Sequence, residues 1–186
     1  MDEFSVKRIT NPDENNFLSW KGGFRLSNWP FQNLFLTGEY TYTLPMTYQH
    51  NSATTTFEST RYNLGHYLRD NSQEIFISLR YKPVRGLTID LSFDLGLHYN
   101  DYVYDYSPDV DKKPVMQDLT WRSNEVSLRG RYEFLNNAYV FAGVIFGDVE
   151  GYDADDQPGQ YYLDRYSPAL FHGKTTTLRA GFNIGF

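Results

Sequence analysis

The chain has 186 residues and a formal net charge of −6, with 16 Tyr, 14 Phe and no Cys. An acidic chain is not expected to bind nucleic acid as its main partner, because phosphate backbones recruit basic surfaces. Without Cys it forms no disulfide and performs no thiol chemistry. No window holds about 18 consecutive apolar residues, which excludes a transmembrane helix. The first residues, MDEFSVKRIT, lack the apolar core of a signal peptide. We therefore expect either a removed signal or a longer chain.

Residues 1–16 form a polar lead-in, and period-two alternation then recurs along the chain. Such alternation indicates strands, because successive side chains leave a strand on opposite faces. It is strongest from Leu87 to Tyr99, where every odd position is large and apolar while Asp90, Asp94 and His98 occupy even positions. We predict seven strands, near residues 18–27, 33–43, 74–82, 87–99, 124–134, 138–147 and 175–186. The sixth is apolar on both faces, so its orientation stays open.

A long apolar row opposite aspartates is unusual in a soluble sheet but typical of a membrane-spanning strand, which faces lipid and lumen alternately over about 9–11 residues. Short turns near Trp29, Pro83 and Asn136 alternate with three long polar segments. Bacterial outer-membrane barrels have this asymmetry, with short periplasmic turns and long extracellular loops. The sequence thus predicts an all-β fold, an antiparallel transmembrane β-barrel in the bacterial outer membrane, in contact with its lipid.

Seven strands do not match the even strand number of single-chain bacterial barrels. The orientation of the turns also places the start of the first clear strand outside the cell. We therefore interpret the chain as the C-terminal seven or eight strands of a larger barrel. The alternative makes residues 3–9 an irregular eighth strand.

Charged side chains of both signs alternate with the apolar rows, as in an ordinary barrel interior and also in a channel. One group resembles acid–base machinery: His98 with Asp94 and Asp101. Asp94 and His98 lie four residues apart on a strand, roughly 13 Å, and cannot hydrogen-bond directly. No nucleophile is identifiable. We expect a non-enzymatic protein without catalytic residues, metal or cofactor, and rank a barrel hydrolase last.

The third long segment, residues 148–174, has the densest mix of tyrosines and carboxylates. Loops on a rigid scaffold usually carry recognition, and aromatic faces beside hydrogen-bonding groups suit sugar rings. Ring-stacking candidates are Tyr161, Tyr162 and Tyr166, and candidate hydroxyl or cation ligands are Asp153, Asp155 and Asp164. An acidic glycan would also need Arg165 or Lys174 to offset the charge of this segment. The competing interpretation is that the tyrosines pack within the loop or at a membrane interface.

The final residues, RAGFNIGF, resemble the C-terminal β-signal of outer-membrane proteins. That signal has a polar residue, a glycine two positions later, a hydrophobic residue three positions after that, and a terminal aromatic residue. The matching residues are Arg179, Gly181, Ile184 and Phe186. The resemblance implies recognition by the barrel-assembly machinery and a genuine C-terminus.

Residues 62–74, YNLGHYLRDNSQE, resemble the His-Pro-Leu-Gly-x-Asn-x-x-Glu segment of the capsule-assembly (Wzi-like) barrel proteins. Four residues keep that spacing: His66, Leu68, Asn71 and Glu74. Tyr67 stands in place of the usual Pro and Arg69 in place of the usual Gly. The resemblance implies the C-terminal part of a large barrel that assembles or attaches capsular polysaccharide at the cell surface. An outer-membrane channel or porin is the alternative.

Overall fold

The computed structural model describes residues 5–10, 16–49, 58–59, 62–102 and 112–185. These ranges include two short helices, nine strands and a 3-10 turn: α1 (Val6–Thr10), β1 (Ser19–Ser27), β2 (Leu34–Thr43), β3 (Glu58–Ser59), β4 (Tyr62–Asn63), β5 (Ser72–Tyr81), β6 (Leu87–Tyr99), β7 (Leu119–Leu135), β8 (Ala138–Gly151), α2 (Gly159–Tyr166), the 3-10 turn Ala169–Phe171, and β9 (Gly173–Ile184). The predicted all-β class is confirmed. In the described ranges, no helix has the length and hydropathy needed to cross a membrane.

The seven long strands form one antiparallel sheet in the order β1-β2-β5-β6-β7-β8-β9, while β3 pairs with β4 in a separate small hairpin. Each long strand lies beside the next long strand along the chain, so the sheet is a simple meander. Strands β1 and β9 are its two edges, and they do not pair with each other, so the described sheet is open.

The predicted strands all form, but β7 and β8 extend several residues beyond the bounds that the alternation indicated. Strand β6 has the predicted bounds, whereas β7 begins at Leu119 and β8 runs on to Gly151. Polar residues continue these two strands as a cross-strand ladder, in which Arg122 lies opposite Glu150 with a 3.0 Å ion pair. Backbone pairing and opposite charges stabilise this part of the sheet, together with the buried side chains of Trp121 and Val149.

Two sequence-based interpretations are corrected. Residues 6–9 belong to α1, so the alternative of an irregular eighth strand over 3–9 is wrong for the part that the structure describes; residues 3–4 lie outside it. The segment 148–174 is not simply a loop, since Asp148 lies within β8, Lys174 lies within β9, and α2 stands between them.

The register separates the sheet into an apolar face and a polar face, because paired residues of antiparallel strands project to the same side. One row of directly paired residues crosses all seven strands with aliphatic side chains only: Leu26, Leu36, Leu79, Leu91, Leu128, Val144 and Leu178. The exposed fractions are 43% for Leu91, 46% for Leu128 and 78% for Leu178. The aliphatic side of the sheet is thus its exposed side.

Aromatic residues flank this aliphatic row on the apolar face. On one side lie Trp20, Tyr40, Tyr42 and Tyr99, with the Trp20 and Tyr40 rings 5.3 Å apart. The Tyr40 hydroxyl donates to Gln73 Oε1 at 2.8 Å, and Gln73 Nε2 donates to the Tyr99 hydroxyl at 2.7 Å. On the other side, near the short turns, lie Tyr81, Tyr132, Phe134 and Phe182. The row is therefore bounded by two aromatic belts.

The polar face carries ion pairs and, at one end, an apolar cluster. Lys21 lies 2.6 Å from Glu39 on the neighbouring strand. At the end where the long segments emerge, a buried cluster is formed by Leu68, Trp121, Val149 and Tyr162. Trp121 lies opposite His98 in the register and so belongs to the polar face. The long segments thus fold back over one end of the polar face.

Asp70 ties the long segments together. Its Oδ1 accepts the Tyr48 backbone N–H at 2.8 Å and its Oδ2 accepts Gln49 Nε2 at 3.0 Å. The same Gln49 nitrogen donates to the Tyr102 carbonyl at 2.7 Å. Burial raises the pKa of Asp70 to about 6, although these two hydrogen bonds act in the opposite direction.

This raised pKa predicts a pH dependence of stability. The folded chain binds the Asp70 proton more tightly than the unfolded chain, whose ordinary value is 3.8, so the stabilising contribution is fully present below that value. It is lost as the pH rises through about 6. Between about pH 4 and about pH 7, wild type should lose up to about 3 kcal/mol relative to Asp70→Asn.

Chemical unfolding at the two pH values measures the difference, with Asp164→Asn as control because that carboxylate is exposed. Parallel pH profiles of wild type and Asp70→Asn would contradict the assignment.

Candidate functional site

Helix α2 lies on the end of the sheet with one face inward. Gly159, Tyr162, Leu163 and Tyr166 follow the i, i+3, i+4, i+7 spacing of one helix face, and all four are buried or half-buried. They face β7 and β8. The opposite face is exposed and consists of Gln160, Tyr161, Asp164 and Arg165, which we call the helix strip.

The close approach of α2 to β8 depends on two glycines. A Cβ atom on Gly159 would lie 2.4 Å from the Gly151 carbonyl oxygen, so no larger residue fits between the helix and the strand. The Gly159 N–H donates to Asp153 Oδ1 at 2.7 Å. Asp153 therefore holds the first turn of the helix, and the carboxylate predicted to bind a glycan is used within the protein.

Tyr162 anchors the helix in the buried apolar cluster. Its side chain is 1% exposed, and its hydroxyl donates to the Ala154 carbonyl at 3.0 Å. Burial raises the pKa of Tyr162 to about 12, so the hydroxyl remains a donor. The prediction that Tyr162 stacks on a sugar ring is corrected, because neither face of its ring reaches the surface.

Tyr166 fastens the other end of the helix to β6. Its ring centroid is 4.4 Å from that of His98, and its hydroxyl lies 3.0 Å from His98 Nε2. The hydroxyl also donates to Asp101 Oδ1 at 2.9 Å. On the other side of the imidazole, Nδ1 is 2.9 Å from Thr120 Oγ1. Burial raises the pKa of Tyr166 far above its ordinary value. This hydroxyl is engaged and is not offered to a ligand.

Of the sequence group His98, Asp94 and Asp101, only His98 and Asp101 contact Tyr166 and so position α2. His98 is 0% exposed, and both of its ring nitrogens have partners on neighbouring elements. Asp94 lies opposite Glu125 at a separate position of the polar face. The buried network holds α2 against the sheet.

Because these buried contacts fix α2 against the sheet, the helix strip is held at the surface. Tyr161 is 41% exposed, and its hydroxyl accepts Arg165 Nη1 at 2.8 Å. Gln160 Nε2 donates to Asp164 Oδ1 at 2.8 Å. The strip thus displays one aromatic ring beside amide, carboxylate and guanidinium groups, all on a helix whose opposite face is buried.

The structure brings together only some of the candidate glycan contacts. Tyr161 and Asp164 lie side by side in the helix strip. Asp155 has a positive φ of 49° and an oxygen 3.5 Å from the Tyr162 hydroxyl. In the described ranges, no three His, Asp or Glu side chains converge on a position that could hold a metal ion. The sequence reasoning missed Gln160 and the helix, although the spacing of Gly159, Tyr162, Leu163 and Tyr166 carries that signal.

The residues that resemble the capsule-assembly segment lie beside the site. His66 Nε2 is 3.1 Å from Glu74 Oε2, and the Tyr67 hydroxyl donates to Glu74 Oε1 at 2.7 Å. Leu68 belongs to the buried cluster, while Asn71 Nδ2 donates to the Asn100 carbonyl at 3.0 Å. The segment thus connects strand β5 to the neighbouring long segments through hydrogen bonds and apolar contacts.

The residues that resemble the β-signal lie on an edge of the sheet. Arg179, Gly181 and Ile184 belong to β9, which pairs with β8 on one side. Ile184 is 54% exposed. Phe186 lies outside the described residues.

No protein-family model, curated protein or solved structure that was compared with the chain matches it. The resemblance to capsule-assembly proteins therefore remains a prediction from the residues quoted for it.

Tyr166→Phe should loosen α2. Removal of the hydroxyl leaves the half-buried Asp101 Oδ1 without this donor and the buried His98 Nε2 without this partner, which costs about 1–3 kcal/mol. Hydrogen exchange of the α2 amides should accelerate accordingly. Tyr161→Phe is the matched control and should cost no more than about 0.5 kcal/mol, because its hydroxyl lies at the surface. Equal exchange in the two variants would contradict the anchoring role.

Proposed function

We propose that the sheet is part of the wall of an outer-membrane β-barrel, with its apolar face on lipid and its polar face toward the lumen. The unbroken aliphatic row carries this proposal. In a water-soluble sheet such a row lies in the core, whereas here Leu91, Leu128 and Leu178 are all at least 43% exposed. An exposed apolar surface of this extent is the mark of a membrane or a protein partner.

The two aromatic belts support lipid as that partner. Aromatic girdles flank the apolar band of outer-membrane barrels, which is about 25 Å tall. Gln73, at one belt, and Tyr81, at the other, are eight residues apart on β5. That separation corresponds to about 27 Å along the strand before any tilt.

The open edges support a larger barrel. Strands β1 and β9 each have one unpaired edge in the described sheet, and exposed edges invite further pairing. Closed bacterial barrels have at least eight strands. We infer that further strands complete the wall, and that the β-signal resemblance of Arg179, Gly181, Ile184 and Phe186 reflects recognition by the barrel-assembly machinery.

We further propose a non-enzymatic role in assembling or attaching surface polysaccharide such as capsule, with the helix strip as the contact. In this orientation the short turns are periplasmic and the long segments, with α2, are extracellular. Tyr161 offers a ring held by Arg165, and Asp164 and Gln160 supply hydroxyl-binding groups beside it. A preorganised aromatic ring beside polar groups suits a sugar, because little conformational entropy is lost on binding.

A channel is the second candidate, favoured by a cavity of about 390 Å³ on the polar face, lined in part by arginines. Conductance across planar bilayers would support the channel. Retention of polysaccharide by cells, without conductance, would support the attachment role.

Lipid contact predicts a strong asymmetry between the faces. Leu128→Lys, on the aliphatic row, should destabilise the folded protein in bilayers by about 2–4 kcal/mol. Glu125→Lys, at an exposed position on the polar face of the same strand, should cost far less. Unfolding from lipid vesicles measures both variants. If the two substitutions cost the same, the apolar face does not meet lipid.

Glycan contact predicts that Tyr161→Ala impairs polysaccharide retention, by about fivefold for a stacking interaction near 1 kcal/mol. Tyr161→Phe keeps the aromatic ring, so cells with this variant should retain nearly as much polysaccharide as cells with wild type. Leu170→Ala, which alters a side chain 81% exposed on the neighbouring turn, controls for loss of any surface side chain. The assay is surface staining of a complemented deletion strain, with heat-modifiable gel mobility to report assembly. If Tyr161→Ala assembles and retains as much polysaccharide as wild type, the helix strip is not the contact.

A further inference from the structure

The charges of the polar face are unevenly distributed. The chain as a whole is acidic, with a net charge of −6. Yet the cavity of about 390 Å³ in the half of the polar face nearer the short turns has five cationic side chains and a single carboxylate, that of Asp90, in its wall. The cationic residues of this basic cavity are Arg25, Arg80, Lys82, Arg129 and Arg179.

The arginines are arranged along one row of the register. Arg80, Asp90 and Arg129 are direct neighbours on β5, β6 and β7, and Gly143 separates Arg129 from Arg179 on β9. Asp90 pairs with Arg80 through its Oδ1. The only carboxylate in the cavity wall is thus already paired with one arginine.

Gly143 leaves room for the Arg179 side chain to cross β8 toward the strand that carries Arg129. Arg179 reaches across β8, and its Nη2 donates to Ser127 Oγ at 3.3 Å on the strand that carries Arg129. A Cβ atom on Gly143 would lie 3.3 Å from Arg179 Nε. Arg129 Nε is buried and has no hydrogen-bond partner, while its guanidinium carbon lies 5.4 Å from the centroid of the Phe141 ring.

A second row supplies neutral donors beside the arginines. Hydroxyl residues are paired across four adjacent strands: Thr37, Ser78, Ser92 and Ser127. All four also belong to the wall of the basic cavity. A guanidinium row next to a hydroxyl row presents hydrogen-bond donors from two sides.

The wall of the basic cavity has no carboxylate to balance Arg129 and Arg179, since that of Asp90 is paired with Arg80. Arginine stays protonated in proteins, so the repulsion between neighbouring guanidinium groups is not relieved by loss of a proton. Planar guanidinium groups bind carboxylates and phosphates in bidentate fashion. A small anion between Arg129 and Arg179 would neutralise their repulsion and give Arg129 Nε an acceptor.

We propose that the basic cavity is a binding site for a small ligand bearing phosphate or carboxylate groups, held chiefly by Arg129 and Arg179. The site lies on the opposite face from the aliphatic row and apart from the helix strip. It depends on neither lipid contact nor glycan contact, and so it stands or falls separately from the proposed function.

Inorganic pyrophosphate and galacturonate are the probes, titrated by calorimetry into the full chain folded in uncharged detergent at low ionic strength. Pyrophosphate distinguishes phosphate recognition from the carboxylate recognition that galacturonate reports. We expect saturable binding of at least one of them. Arg129→Gln should weaken it at least about tenfold, because a charge-assisted bidentate contact is lost.

Arg122→Gln is the matched control, since Arg122 lies on the same strand but pairs with Glu150 outside the cavity. It should change the affinity by less than about twofold, as expected for a distant charge that already has an ion-pair partner. Absence of saturable binding to wild type, or equal weakening by the two variants, would overturn the proposal.

A measurement on wild type alone covers the case in which Arg129→Gln does not fold. Phenylglyoxal modifies accessible arginines, and mass spectrometry locates the modified residues. The bound probe should protect Arg129 and Arg179 and leave the modification of Arg122 unchanged. Equal protection of all three arginines, or of none, would contradict a site in the basic cavity.

Discussion

The structure depends on the register of the antiparallel ladder. Because side chains alternate with a period of two, a slip of one residue in any strand pair would move its apolar set to the other face. Here all six pairings keep the aliphatic residues together, from Leu26 on β1 to Leu178 on β9. The rest of the fold follows from that separation, since one face carries the aliphatic row and the other carries ion pairs such as Lys21 with Glu39 and Arg80 with Asp90.

The polar face meets this requirement in two ways. Near the short turns its charged side chains line the basic cavity and are mainly cationic. At the opposite end the long segments cover the polar face with a small apolar cluster. The buried contacts of Tyr166 with His98 and Asp101 fix α2 over that end. The exposed helix strip is therefore positioned by interactions that face away from it, as a preorganised binding surface requires.

Local patterns predicted much of the sheet and little of the site. Strict alternation gave β6 its bounds, but the extensions of β7 and β8 rest on cross-strand pairs such as Arg122 with Glu150, which no local pattern contains. The mix of tyrosines and carboxylates predicts a loop over residues 161–166, whereas the helix that forms there buries Tyr162 and exposes Tyr161. The contact of Tyr166 with His98 joins residues 68 positions apart and could not be predicted from either neighbourhood.

The most direct test of the account is whether the two faces of β6 meet different solvents. The chain has no Cys, so single cysteines at successive positions 89–94 carry spin labels without background. In lipid vesicles, collision rates with oxygen and with a water-soluble nickel complex should alternate with a period of two. Oxygen should dominate at Ile89, Leu91 and Phe93. Equal access of the nickel complex to both sets of positions would contradict the assignment of the apolar face to lipid.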